Sequence, residues 1–167
     1  MKKVNTLTIL KNAILMERKG QSLYLKAMEH ANDESVKAFF KDLADDEQEH
    51  VNILEKQFKA LMKDGKFMAG GFDNDASAAD APDILDETLK NKISAAGFEA
   101  TAITAAISFE EKAIRAYAGQ SEAASDPEEK KIYKWLSTWE KTHLKKLIAL
   151  EKSLIDSVWE DNNFWPM

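Results

Sequence analysis

Asp45-Asp46-Glu47-Gln48-Glu49-His50 places a glutamate and a histidine three residues apart in a stretch that reads as helix. Residues three apart on a helix share a face, so Glu47 and His50 can reach one point in space. The spacing recurs in Trp139-Glu140-Lys141-Thr142-His143. Glu17 lies 30 residues before Glu47, and Glu110 lies 30 residues before Glu140. One such pair in a charge-rich helix is an ordinary solvated pattern. Two copies, each preceded by a glutamate at the same distance, are not.

The duplication reaches well beyond these six residues. Displaced by 93 positions, Ala13, Ile14, Glu17, Lys19, Tyr24, Asp33, Lys37, Lys41, Leu43, Glu47, His50 and Leu54 fall on identical residues. Their counterparts are Ala106, Ile107, Glu110, Lys112, Tyr117, Asp126, Lys130, Lys134, Leu136, Glu140, His143 and Leu147. A repeat fixes the architecture, and here its unit is a helical hairpin. Two hairpins related by an approximate two-fold axis make a four-helix bundle with matched side chains meeting in mid-core. Glycine (6) and proline (3) are scarce among 167 residues, which permits long helices and argues against a turn-rich β fold.

The first helix is expected over about 6–30, with Leu10, Ile14, Glu17, Gln21, Tyr24, Met28 and Ala31 on one face. Asp33 caps a second helix reaching about 63, with Val36, Phe40, Leu43, Glu47, His50, Leu54, Phe58 and Leu61 inward, and Asp64-Gly65 stops it. A break this short makes the two helices antiparallel neighbours. The third helix is expected over about 98–123 with Ile103, Ile107, Glu110, Ile114, Tyr117 and Ser121 inward. Asp126-Pro127-Glu128-Glu129 opens the fourth, with Asp126 as cap and Pro127 at the first helical position. Its face carries Ile132 or Tyr133, Leu136, Glu140, His143, Leu147, Leu150 and Leu154, and it fades near Val158.

The chain thus reads as one domain over 1–167, with hairpins at about 6–63 and 98–158 and a long connection over 64–97. A short helix over 83–92 is expected inside that connection. Its acidic stretch, Asp73 to Glu87, does not match an EF-hand and reads as solvated linker. Trp159, Phe164 and Trp165 in the tail are expected to pack back on the bundle or into a dimer contact.

The formal net charge of −6, with no cluster of basic residues and interleaved aromatics, argues against nucleic acid. No apolar run approaches the roughly 18 residues of a membrane span, and no secretion signal follows Met1, so a cytoplasmic protein is expected. The absence of cysteine excludes disulfides, thiolate metal sites and cysteine nucleophiles. Any metal must be held by oxygen and nitrogen.

Glu17, Glu47, His50, Glu110, Glu140 and His143 all fall on inward stripes, near the middle of helices roughly 40 Å long at about 1.5 Å per residue. Unpaired buried ions cost several kcal/mol each, so four buried glutamates need neutralising. Two divalent cations balance four carboxylates and leave two neutral imidazoles. Oxygen-rich ligation with one nitrogen per ion suits iron or manganese, with zinc as a substitute. Tyr24 and Tyr117, each seven residues after its glutamate, are expected to donate hydrogen bonds to ligand carboxylates. His30 has no counterpart in the second repeat and reads as an exposed helix-end residue. Glu49, Glu99 and Glu111 fall off the stripes or far from the centre.

These six residues resemble the signature of the ferritin-like di-iron carboxylate proteins, one Glu on each of two helices and Glu-x-x-His on each of the other two. The resemblance covers both hairpins and is nearest to the erythrin domain of rubrerythrins. It implies an all-α, ferritin-like antiparallel four-helix bundle with a long connection between helices 2 and 3, two bound iron ions, and peroxide or dioxygen as reactant. The chain departs from the rubrerythrin pattern in lacking a cysteine-rich iron module, so a separate electron-donor protein is expected. It also has Ala113 where rubrerythrins carry a further Glu, which leaves a six-ligand site closer to a ferroxidase centre. Asp46 and Gln48 flank Glu47 where bacterioferritins place a haem-binding Met, so no haem is expected. Three functions stand open: reduction of peroxide or dioxygen, iron oxidation with storage, and a bundle that uses metal only for stability. A homodimer or larger homo-oligomer is expected.

Overall fold

The computed structural model describes residues 2–70, 72, 89 and 97–161, with side chains described for 6–70, 72, 89 and 97–156. Four helices account for nearly all of them: α1 (Lys2–His30), α2 (Glu34–Asp64), α3 (Phe98–Ala123) and α4 (Pro127–Asp161). No strand occurs among the described residues. Of the expected helix over 83–92 only Leu89 is described, helical and buried; the acidic stretch 73–87, Phe164, Trp165 and the side chain of Trp159 lie outside the described residues.

The helix ends follow from local chemistry. The Asp33 side chain accepts from the backbone N–H groups of Ser35 and Val36, satisfying donors that the first turn of α2 leaves free. Gly65 closes α2 in the left-handed region at φ 69°, its N–H returning to Leu61 O at 3.1 Å. Asp126 accepts from Glu128 N at 2.8 Å and Glu129 N at 3.2 Å, as its repeat partner Asp33 does at α2. At the two chain ends the helices run past the expected bounds, to Lys2 and to Asp161, because no Gly or Pro interrupts either stretch.

α1 packs along α2, α3 along α4, and the hairpins meet through α1 and α3. Tyr24 contacts Glu110 while Tyr117 contacts Glu17, so α1 and α3 run antiparallel. His50 beside Glu140 and His143 beside Asp46 give α2 and α4 the same relation. The molecule is therefore an antiparallel four-helix bundle. Its apolar core has two parts. One gathers Tyr24, Phe40, Leu43, Ile103 and Leu147 toward the His30 end. The other gathers Leu10, Leu54, Tyr117, Ile132 and Leu136 toward the opposite end. The Glu/His residues sit in the layer between them.

On α1 and α3 the expected Leu10, Glu17, Tyr24, Ala31, Ile103, Glu110, Tyr117 and Ser121 are buried, but the positions between them shift by one. Ala13, Gly20, Ala27, Ala106 and Ala113 lie innermost, while Ile14, Gln21, Met28, Ile107 and Ile114 are half-buried. Small residues let α1 and α3 approach closely, and the larger ones fill the flanks of that seam. Phe58 is likewise half-buried, with Gln57 buried in its place and paired through its side-chain amide to the backbone of Met68.

Candidate metal centre

Glu17, Glu47, His50, Glu110, Glu140 and His143 come from four helices into one layer, each no more than 1% exposed. Their ligand atoms form two overlapping groups. One comprises Glu17, Glu47, His50 and Glu140, the other Glu47, Glu110, Glu140 and His143, with atoms within 4.8 Å of one another in each. Glu47 and Glu140 belong to both, as the repeat demands of residues that lie on its axis.

Both imidazoles turn Nδ1 into the layer. His50 Nδ1 lies 3.0 Å from Glu17 Oε2 and 3.1 Å from Glu140 Oε1. His143 Nδ1 lies 3.1 Å from Glu140 Oε2, 3.5 Å from Glu110 and 3.6 Å from Glu47. The tyrosines cross between hairpins: the Tyr24 hydroxyl donates to Glu110, and that of Tyr117 donates to Glu17. Each phenol thus serves the lone glutamate of the other half, not the one on its own helix. Gly20 makes room for Glu47. A Cβ there would stand 2.8 Å from Phe109 Cε1 and 3.1 Å from the Glu47 carboxylate.

The layer's protons follow from burial set against charge. Burial disfavours a charged imidazole, but facing carboxylates outweigh it and raise both histidines well above their ordinary range. For His50 these are Glu140, Glu17 and Glu47. For His143 they are Asp46, Glu110, Glu140 and Glu47. Burial and the charge of Glu140 push Glu17 well up. Burial also lifts Glu110, to about 8, against the hydrogen bond from His143. Glu140 is buried too, yet His50 and His143 hold it well below the carboxylate range, and Glu47 is lowered for the same reason. Burial and charge together thus hold protons more firmly on Glu17, Glu110 and both imidazoles, and less firmly on Glu47 and Glu140.

The donor set fits a pair of cations. Both oxygens of Glu47 and of Glu140, Glu110 Oε2 and His143 Nδ1 are buried with no hydrogen bond among the described residues. Such atoms are costly to bury unless something else satisfies them. Two divalent ions would balance the charge of the four carboxylates.

Around this layer stand residues that the sequence reading passed over. Asp46 accepts from His143 Nε2 at 3.1 Å. Burial pushes the Asp46 carboxyl up, but the His143 hydrogen bond and the charges of His143, Lys146 and His50 leave it below its ordinary value. The rings of Trp135 and Trp139 lie nearly perpendicular to that of His50, with centroids 5.5 and 5.7 Å away. The repeat itself carried the signal, since Asp42 and Asp46 align with Trp135 and Trp139. Glu99 is buried as well, on the first turn of α3. His30 is exposed, its ring against Phe98 at 4.6 Å.

Bundle, crossed hairpins and a layer of carboxylates and imidazoles define a ferritin-like protein with a site suited to two metal ions. The family model described as Rubrerythrin matches residues 8–151. The chain belongs to the rubrerythrin family. Among solved structures, a hypothetical protein from Pyrococcus furiosus is 21% identical over 89% of each chain, with a TM-score of 0.63. A two-domain protein from Anabaena variabilis, containing DJ-1/ThiJ/PfpI-like and ferritin-like domains, is 19% identical with a TM-score of 0.54. That match covers 99% of this chain and 39% of the other. At these identities the likeness is one of fold. No curated protein matches the chain. Among the described residues no helix is long and apolar enough to cross a membrane.

Proposed function

We propose that the protein is a non-haem di-iron oxidoreductase that reduces peroxide or dioxygen with electrons from a separate donor protein. The observation that carries this reading is the pair of four-residue groups sharing Glu47 and Glu140, with their buried, unbonded oxygens. Glu47 and Glu140, which belong to both groups, would help to hold either ion. Glu17 and His50 would complete one position, Glu110 and His143 the other. When bound, two iron ions supply the electrons and the template for oxygen chemistry.

The protein's own part is positioning and proton holding. Tyr117 and Tyr24 fix the carboxylates of Glu17 and Glu110 by hydrogen bonds from the opposite hairpin. The two apolar clusters exclude bulk water from both sides of the layer. The tyrosine hydroxyls and the outward nitrogens of the imidazoles are the nearest proton carriers. The reading also carries a homo-oligomer and a cytoplasmic setting.

A second reading, iron oxidation with storage, is favoured by Ala113. This residue is 1% exposed one turn from Glu110 and leaves the set at six ligands. Anaerobic loading followed by peroxide separates the two. The oxidoreductase binds about two Fe(II) per chain, oxidises rapidly and turns over repeatedly when a reductant is added. A single stoichiometric oxidation by a large assembly filled with iron means storage. Redox-silent zinc in the protein from its own host means a structural site.

A further inference from the structure

We propose that the two metal positions are unequal. The one bounded by Glu110 and His143 holds its ion more tightly than the one bounded by Glu17 and His50, because Asp46 backs His143 and Trp139 takes the matching place behind His50. The inference rests on the two-metal reading above.

The ligands themselves are symmetric. Each position has one lone glutamate, one histidine through Nδ1, one tyrosine donating to the lone glutamate, and the shared Glu47 and Glu140. The symmetry ends directly behind the imidazoles. The outward Nε2 of His143 donates to Asp46 at 3.1 Å. A carboxylate there fixes the ring and its tautomer and makes Nδ1 a stronger donor to a cation. It also adds one more negative charge near that position.

His50 has no such support. Its Nε2 is buried without a hydrogen bond among the described residues. Trp135 and Trp139 pack nearly perpendicular to the His50 ring, with centroids 5.5 and 5.7 Å away, and against each other at 5.2 Å. An indole donates one N–H and accepts nothing through it, so neither ring can replace an aspartate. Displacement by 93 residues sets Asp46 on Trp139 and Asp42 on Trp135, so the difference is a substitution within the repeat. Loss of a partner behind a metal-bound histidine weakens metal binding by roughly 10–100-fold, enough to separate two otherwise matched sites.

The test is titration of the metal-free, full-length protein with Co(II), followed by calorimetry and visible absorption. Two steps are expected, separated by roughly 10-fold or more. His50→Ala should keep the tighter step and lose the weaker one, and His143→Ala should lose the tighter one. Asp46→Asn should weaken the tighter step alone and bring the two together. Trp139→Asp supplies the missing acceptor and should strengthen the weaker step, whereas Trp139→Phe should leave the gap in place. In the Co(II)-loaded protein, proton NMR should show slower solvent exchange for the His143 ring N–H than for that of His50. A single affinity for both ions overturns the proposal, as does an Asp46→Asn variant weakened equally at both steps or at neither. Uptake of fewer than two ions by the wild-type chain overturns the two-metal reading itself.

Discussion

The six candidate ligand side chains do not all carry the same expectation. Glu47 sits in both groups of ligand atoms and Glu17 in one. Glu47→Gln is therefore expected to lose both ions in a metal assay, and Glu17→Gln to lose one. Gly20 has no side chain to lose, yet Gly20→Ala forces Phe109 or the Glu47 carboxylate to move. Overpacking of this kind costs about 1–3 kcal/mol, and here part of it falls on metal affinity. The measurement is the Co(II) binding constant beside the urea midpoint; a fall in stability with affinity intact places the whole cost on Phe109. Protons are the third test. With Glu17, Glu110, His50 and His143 all raised, loading two ions should release protons from the layer. Calorimetry in buffers of different ionisation enthalpy counts them directly.

Helices show how far the sequence alone reaches. Registers of the six ligands were legible because Glu-x-x-His recurs at 93 residues and lies in line with large apolar residues. Caps were legible too, since Asp33, Gly65 and Asp126 do their work within four residues of themselves. Half of the buried face of α1 and α3 was displaced by one position, because hydrophobicity marks Ile14 and Ile107 while closeness of the two backbones selects Ala13, Gly20 and Ala106. Asp46, Trp135 and Trp139 were overlooked for a related reason: what makes them matter lies on another helix. The tyrosines do reach carboxylates, but those of the opposite hairpin, which only the folded arrangement shows. At this scale Asp33→Ala is expected to cost about 1 kcal/mol through the lost cap. It should lower the urea midpoint while leaving two ions per chain. His30→Ala, on an exposed helix end, should leave metal content unchanged.

For the whole molecule the buried layer sets the response to pH. A group whose folded pKa is raised contributes stability that is complete below its unfolded pKa and lost as pH rises through the folded one. Glu110 does this between about 4.5 and about 8, and Glu17, His50 and His143 act in the same direction. Glu47 and Glu140 act the other way, their contribution disappearing as pH falls below the ordinary carboxylate range. The metal-free bundle should therefore be most stable in mildly acidic solution and lose thermal stability toward pH 8 and above. Bound metal reverses the trend, because ions compete best when the ligands shed protons. Thermal melts across pH with and without Co(II) read both slopes; parallel slopes would deny that the six groups control them.

The sharing of Glu47 and Glu140 has a consequence for assembly. Each half supplies three of the groups around one position and borrows the fourth, so one hairpin paired with its own copy would own a complete centre. The two halves made as separate polypeptides should therefore find one another and take up two ions. Halves that stay apart would speak against it.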